Sequence, residues 1–332
     1  MRILVLGGTA WLGSSVINRA LARGHQVTAL ARGESGETPV GARFVSGDRR
    51  STAGYDDLEG TFDAAIDVAR DPLHVQTALD VLGDRVRHWV FVSSTSVYAR
   101  PDTVGSDETA EVLPPLTGDW KPELYGAGKV ACERLLTGVL GQQRTFVARS
   151  GLIAGPGDST DRTGYWPLRF AHRATPDGRV LVPHSPDLAT QVLDVRDLSA
   201  WLILAAEQGI TGTHNASAPS ITLAEHLATA RQVAGYTSPL VPVDQEWLAT
   251  HEVQPWAGPR SLPLWLPVPR YAGLMSHSVA SALAAGLRIR PLTETLTDTL
   301  AWEVQRPADR QRAAGLTVDE ERELIKLARR AS

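Results

Sequence analysis

In the run Tyr125-Gly126-Ala127-Gly128-Lys129, Tyr125 and Lys129 stand four residues apart. On a helix that spacing puts a phenol and an ammonium on one face. A free tyrosine, with a pKa of about 10, is a poor proton donor or acceptor at neutral pH. A neighbouring ammonium favours the phenolate and brings such a group into working range. A third member should be a hydroxyl at a strand end, donating to an oxygen that gains charge when hydride leaves or arrives. Val92-Ser93-Ser94-Thr95-Ser96-Val97-Tyr98 supplies candidates for it. A Tyr-x-x-x-Lys spacing by itself fits a surface pair as well. Its position after a serine-rich strand end and a glycine turn is what points to chemistry.

The glycine turn is Gly7-Gly8-Thr9-Ala10-Trp11-Leu12-Gly13, directly after the apolar run Ile3-Leu4-Val5-Leu6. Residues 2–6 read as a buried parallel strand. The spacing of Leu12, Val16, Ile17 and Leu21 predicts a helix over 11–23, with Gly24 as its stop. Gly7 permits a tight turn, Gly13 permits close helix–strand packing, and the free N–H groups at the helix start attract phosphate. Gly7, Thr9, Ala10, Trp11, Leu12 and Gly13 are therefore expected to hold a dinucleotide. Ala10 stands where a third glycine is usual, which weakens the pattern.

Gln26 to Ala31 reads as the second strand, and Arg32 follows where an acidic residue would bind the ribose of NAD. A guanidinium there suits the 2′-phosphate of NADP, so NADP is the expected cofactor and NAD the alternative. A solvent-facing arginine fits the position equally well. Further strands are read at 43–48, 64–69 and 88–93, with helical spacing from Val75 to Val86. Asp48 is a candidate adenine contact or a plain loop aspartate. Val68 and Ala69 are further cofactor candidates, and Lys129 can also hold the nicotinamide ribose. The alternation predicts an α/β fold: a Rossmann-like, doubly wound parallel sheet with a smaller C-terminal lobe for substrate.

These motifs resemble the extended branch of the short-chain dehydrogenase/reductase superfamily, the epimerase/dehydratase group, most strongly over residues 1–155. The resemblance implies Ser94, Tyr125 and Lys129 as catalytic residues. Arg149 to Gly157 resembles the family's strand into the substrate lobe, and Leu193 to Leu198 its later return segment. Two departures narrow the implied chemistry. Sugar-nucleotide dehydratases carry Asp-Glu after the catalytic hydroxyl, where this chain has Thr95 and Ser96, so dehydration is not expected. Sugar-nucleotide epimerases carry an asparagine three residues after the arginine matching Arg149, where this chain has Leu152. That puts a nucleotide-sugar substrate in doubt.

With 332 residues the chain exceeds one ordinary core. The expected lobes are 1–155, with a return near 190–215, and 156–332. A formal charge of −4 without a basic run argues against nucleic acid. No apolar stretch reaches the roughly 18 residues of a membrane span, and the first apolar run is too short for a secretory leader. A single cysteine, Cys132, excludes an internal disulfide and suits a cytoplasmic protein. The nine histidines show no metal-ligand pairing, so no metal is expected. The expected partner is a small-molecule substrate, with a homodimer as one form of assembly.

In the second half, helices are read near 197–206, 221–234 and 292–304, with Thr222 and Glu225 forming a capping box and a surface helix after Pro307. Pro263, Pro267 and Pro269 predict a surface loop over 261–269. Thr95, Tyr165, Trp166 and Trp265 are the candidate substrate contacts. The expected function is hydride transfer between a nicotinamide and a carbonyl/alcohol pair of a small metabolite. The alternatives are an epimerase working by transient oxidation and a cofactor-sensing regulator without catalysis.

Overall fold

The computed structural model describes residues 1–307 and 310–331. Strands β1 (Arg2–Leu6), β2 (Gln26–Ala31), β3 (Arg43–Ser46), β4 (Phe62–Asp67) and β5 (Val86–Ser94) pair in parallel. Helices α1 (Trp11–Ala22), α2 (Pro72–Leu82) and α3 (Tyr125–Leu140) lie between strands, α3 leading into β6 (Thr145–Ser150). A short strand β7 (Leu152–Ala154) follows, then α4 (Tyr165–Ala171) and β8 (Val180–Pro183). The chain continues through β9 (Ala189–Thr190) and β10 (Val192–Asp194) into α5 (Val195–Gln208) and β11 (Gly212–Ala216). The main sheet has seven strands in the order β11-β6-β5-β4-β1-β2-β3. The order reverses beside β1, between β2 and β4, and in an open α/β sheet the ligand crevice lies at such a point.

Both faces of that sheet are covered, which explains the near-continuous apolar strands. On one face Ile3, Val5, Ala29, Ile66, Val90 and Phe146 pack against Val16 and Ile17 of α1 and Trp201 and Leu202 of α5. On the other Leu4, Leu6, Trp89 and Phe91 meet Val75 and Leu79 of α2 and Cys132 and Leu136 of α3. Cys132 is a packing group, and burial pushes its thiol up to about 12.

A separate core gathers Leu152, Phe170, Leu181, Leu227, Leu248, Trp265, Leu296 and Ile325. It holds α4, the helix Leu223–Val233 and the helix Leu292–Glu303 together, and β8 pairs with Leu240–Val243. The capping box forms as expected, with Thr222 and Glu225 each satisfying the other's backbone N–H. The C-terminal helix Val318–Ala331 is not merely superficial. Glu321, Leu324 and Ile325 are buried, because its apolar stripe closes this second core.

The segment 261–269 differs from the expected surface loop. Ser261–Leu262 forms a short strand, and Leu262, Leu264, Trp265 and Leu266 are all buried. The prolines prevent regular structure, but apolar burial decides where the segment lies. Tyr165 and Trp166 are buried in the same core, with the Trp166 indole donating to the Pro263 carbonyl at 2.8 Å. These three aromatics join α4 to the 261–266 segment rather than walling a cleft.

Two buried histidines make this fold acid-sensitive. Neither ring nitrogen of His226 or His277 has a hydrogen-bond partner in the protein. Burial pushes both down to about 4 from 6.5, with Arg149 adding to the effect at His277. Above pH 6.5 both are neutral, folded or unfolded, and have no effect on stability. Below it the unfolded chain binds protons that the fold refuses until about pH 4. Stability should therefore decline across that window, by up to about 3 kcal/mol per histidine. Urea midpoints at pH 7 and pH 4.5 should show the decline, and it should shrink in His226→Phe. An unchanged pH response in that variant would contradict the assignment.

Candidate active site

The glycine turn closes as its sequence predicts. Gly7 has a φ of +97°, and a Cβ there would lie 2.7 Å from the Val68 side chain. A Cβ on Gly13 would meet the Gly7 carbonyl, so α1 can start only where no side chain intervenes. Ala10 tolerates its methyl because its φ is −83°, within the extended region open to any residue. Its side chain offers no cap, so the first amides of α1 (Trp11, Leu12 and Gly13) have no intrahelical acceptor. Free amides at a helix start could hold the phosphates of a dinucleotide.

Other cofactor candidates take different positions. Arg32 lies just past β2, exposed, and pairs with Glu34 at 2.9 Å. The loop that follows folds back over the turn, where a Cβ on Gly36 would lie 2.9 Å from the Thr9 carbonyl. Thr9 itself is buried. Asp48 is exposed and its carboxylate accepts from the Arg50 amide at 3.0 Å, a local turn contact. The Asp67 carboxylate, ending β4, accepts two bonds from the buried Arg49 guanidinium at 3.0 and 2.9 Å and one from the Ala69 amide. This orients Ala69, whose carbonyl accepts from Lys129.

Lys129 is 2 % exposed and its Nζ donates to the carbonyls of Ala69 at 2.5 Å and Val92 at 2.6 Å. It also lies 4.7 Å from the Phe91 ring and 5.8 Å from the Tyr125 ring. An ammonium has three donors, so one remains for a ribose hydroxyl. Ser94 ends β5, and its Oγ accepts from the Ser96 amide at 3.2 Å. Thr95 is buried in the short turn that follows. A Cβ on Gly126 would meet the Ser96 carbonyl, so the first turn of α3 packs directly on the turn after Ser94. Glycine beside Tyr125 thereby brings phenol, ammonium and serine hydroxyl to one end of the sheet.

Beneath this set runs a polar network that the sequence reading did not identify. Ser93 Oγ donates to Glu133 at 2.5 Å, and Arg149 donates to both oxygens of Glu133 at 3.1 and 2.8 Å. Arg149 also donates to the Tyr98 hydroxyl at 3.2 Å, and that hydroxyl donates to Asn215 at 2.6 Å. Burial opposes the charge on Arg149, yet its bonds to Glu133 hold it above the ordinary arginine range. Burial pushes the Tyr98 phenol above the ordinary tyrosine range, with Arg149 opposing. The clue was available: a polar residue at a helix position facing a fully apolar sheet needs a partner. Leu152, three residues after Arg149, is buried in the second core.

No family model matches the chain. It is 24% identical over 285 residues to the UDP-glucose 4-epimerase of Corynebacterium glutamicum, covering 72% of this chain and 82% of that one. It is 28% identical over 258 residues to the chloroplast stem-loop binding protein of 41 kDa b of Arabidopsis thaliana, and spans 63% of that relative's length against 70% of its own. The Thermus thermophilus UDP-glucose 4-epimerase, solved in complex with NAD, superposes with a TM-score of 0.64 at 21% identity, covering 91% of this chain and 98% of that one. The chain shares the fold of that solved UDP-glucose 4-epimerase. The expected Rossmann-like parallel sheet stands as read. Among the described residues no helix is long and apolar enough to cross a membrane, and no three His, Cys, Asp or Glu gather as a metal site.

Proposed function

We propose that this protein is an oxidoreductase that moves hydride between a nicotinamide dinucleotide and a carbonyl/alcohol carbon of a small substrate. What supports this reading is that Ser94 ends β5 while Tyr125 and buried Lys129 begin the helix that packs on the turn after it. A bound nicotinamide would supply or take the hydride. Tyr125 then moves the proton at the substrate oxygen, and the Ser94 hydroxyl donates to that oxygen as its charge grows. Lys129, fixed by two carbonyls, keeps positive charge beside the phenol and offers its remaining donor to the ribose. In this reading residues 1–155 with the 190–215 return hold the cofactor, and the second core carries the substrate lobe.

Epimerisation is the second reading, favoured by the UDP-sugar 4-epimerases among the relatives. There the same residues would oxidise the substrate and return hydride to its other face. Protein purified without added cofactor separates the two. A retained, spectrally detectable dinucleotide supports the epimerase, and free exchange with stoichiometric consumption supports the reductase. A non-catalytic binding role, suggested by the name of the plant relative, is disfavoured by the intact triad.

The cofactor is proposed to be NADP. Arg32 would leave Glu34 for the 2′-phosphate, because both side chains are exposed and their pair is weak in water. Fluorescence titration should show NADPH binding about ten- to a hundredfold tighter than NADH, the value of a charged hydrogen bond, and Arg32→Ala should erase the gap. Equal affinities in the unaltered protein would remove NADP from the proposal.

A further inference from the structure

Between β7 and α4 the chain reads Gly155-Pro156-Gly157-Asp158-Ser159-Thr160-Asp161-Arg162-Thr163-Gly164. The Trp11 indole, at the glycine turn, donates to the Pro156 carbonyl at 2.8 Å, so this loop starts beside the phosphate cradle. Asp158 is consumed inside it. Its Oδ1 accepts from the Thr160 amide and hydroxyl at 2.9 and 2.6 Å, and its Oδ2 from those of Thr163 at 3.2 and 2.7 Å. Asp161 has a φ of +59°, a conformation that non-glycine residues rarely adopt. It is held there by Arg306 at 3.1 Å, Arg310 at 2.5 Å and the Ala313 amide at 2.7 Å.

The next residue, Arg162, is half-buried and lacks a carboxylate within ion-pair distance among the described residues. Its Nε donates to Thr160 Oγ1 at 3.1 Å, and its guanidinium lies 4.8 Å over the Trp256 ring. The four terminal N–H donors of its fork face no protein acceptor among the described residues. Trp256 is also strained, with a φ of +72°. Strained residues that the surrounding structure over-determines cluster at ligand sites. Burial lowers Arg162 from the ordinary arginine range, and the groups whose charge acts back on it are Asp158 and Tyr125. The loop that carries this unfilled fork lies against the glycine turn, where a Cβ on Gly157 would come within 2.6 Å of the Trp11 ring.

We infer that Arg162, stacked on Trp256, is the subsite for an anionic group of the substrate, a carboxylate or a phosphate. A planar fork whose Nη1/Nη2 edge is free matches such an oxyanion bidentately. This rests on the oxidoreductase reading, since the loop that carries Arg162 starts at the glycine turn where the dinucleotide would bind. The test uses full-length protein saturated with NADP⁺ or NAD⁺, so that the phosphate cradle is filled. Malonate and inorganic phosphate are titrated by calorimetry into the wild type, Arg162→Met, Arg162→Lys and Trp256→Leu. Saturable binding of one probe is expected, weakened tenfold or more in Arg162→Met and partly restored in Arg162→Lys. Malonate alone would mark a carboxylate site, and phosphate alone a phosphate site. Cofactor affinity and melting temperature should stay unchanged in Arg162→Met. Absence of saturable binding in the wild type, or equal affinity in Arg162→Met, would overturn the subsite. Failure of the dinucleotide itself to bind would instead overturn the oxidoreductase reading.

Discussion

Tyr125→Phe is expected to lower turnover by about a hundredfold or more, since positioned general acid–base groups contribute roughly that much. The substitution removes one oxygen and leaves the ring that faces Lys129. Lys129 keeps its two carbonyl acceptors, so dinucleotide affinity should change little. The discriminating measurement is turnover beside a cofactor titration on the same preparation. A variant that keeps a tenth of the activity has lost only about 1.4 kcal/mol of barrier stabilisation, too little for the residue that moves the proton.

The largest expected loss of stability lies not at the reacting groups but under them. Arg149→Met leaves the Glu133 carboxylate buried with only the Ser93 hydroxyl as partner, and frees Tyr98 from its cation. Breaking a buried pair from one side costs about 3–5 kcal/mol, because the remaining charge is uncompensated. The double variant Glu133→Leu/Arg149→Met should recover most of that loss, since it removes both charges together. Urea unfolding of the two variants is the check. A single variant as stable as the wild type would mean that the network adds nothing to the fold.

The centre of the sheet was readable in the sequence because β1, β2, β4 and β5 are largely apolar runs. The edge strand β11 carries Thr213, His214 and Asn215 and was not read. Gln26–Ala31 and Trp11–Ala22 were anticipated nearly to the residue. The placement of Tyr125 and Lys129 was readable for a different reason: four-residue spacing and small neighbours admit few arrangements. The second lobe resisted. Its tryptophans and prolines look alike whether they line a cleft or fill a core, and Trp166 and Trp265 fill the core. Arg162 and Trp256 were missed because what sets them apart is the absence of partners and the presence of backbone strain. Neither leaves a mark in residue type. The Ser93–Glu133–Arg149 network is a contact between residues up to 56 positions apart in the numbering, and no periodicity reports it.

The bond from Trp11 to Pro156 joins the helix proposed to receive phosphate to the loop that presents Arg162. Two ligands that share such a joint have coupled free energies rather than independent ones. Any preference that a docked dinucleotide shows for one setting of that joint becomes a preference of the loop for its anion. The anion must in turn raise dinucleotide affinity by the same factor. With both ligands bound as proposed, a single indole hydrogen bond would let each favour the other, whichever arrives first, without a moving lid.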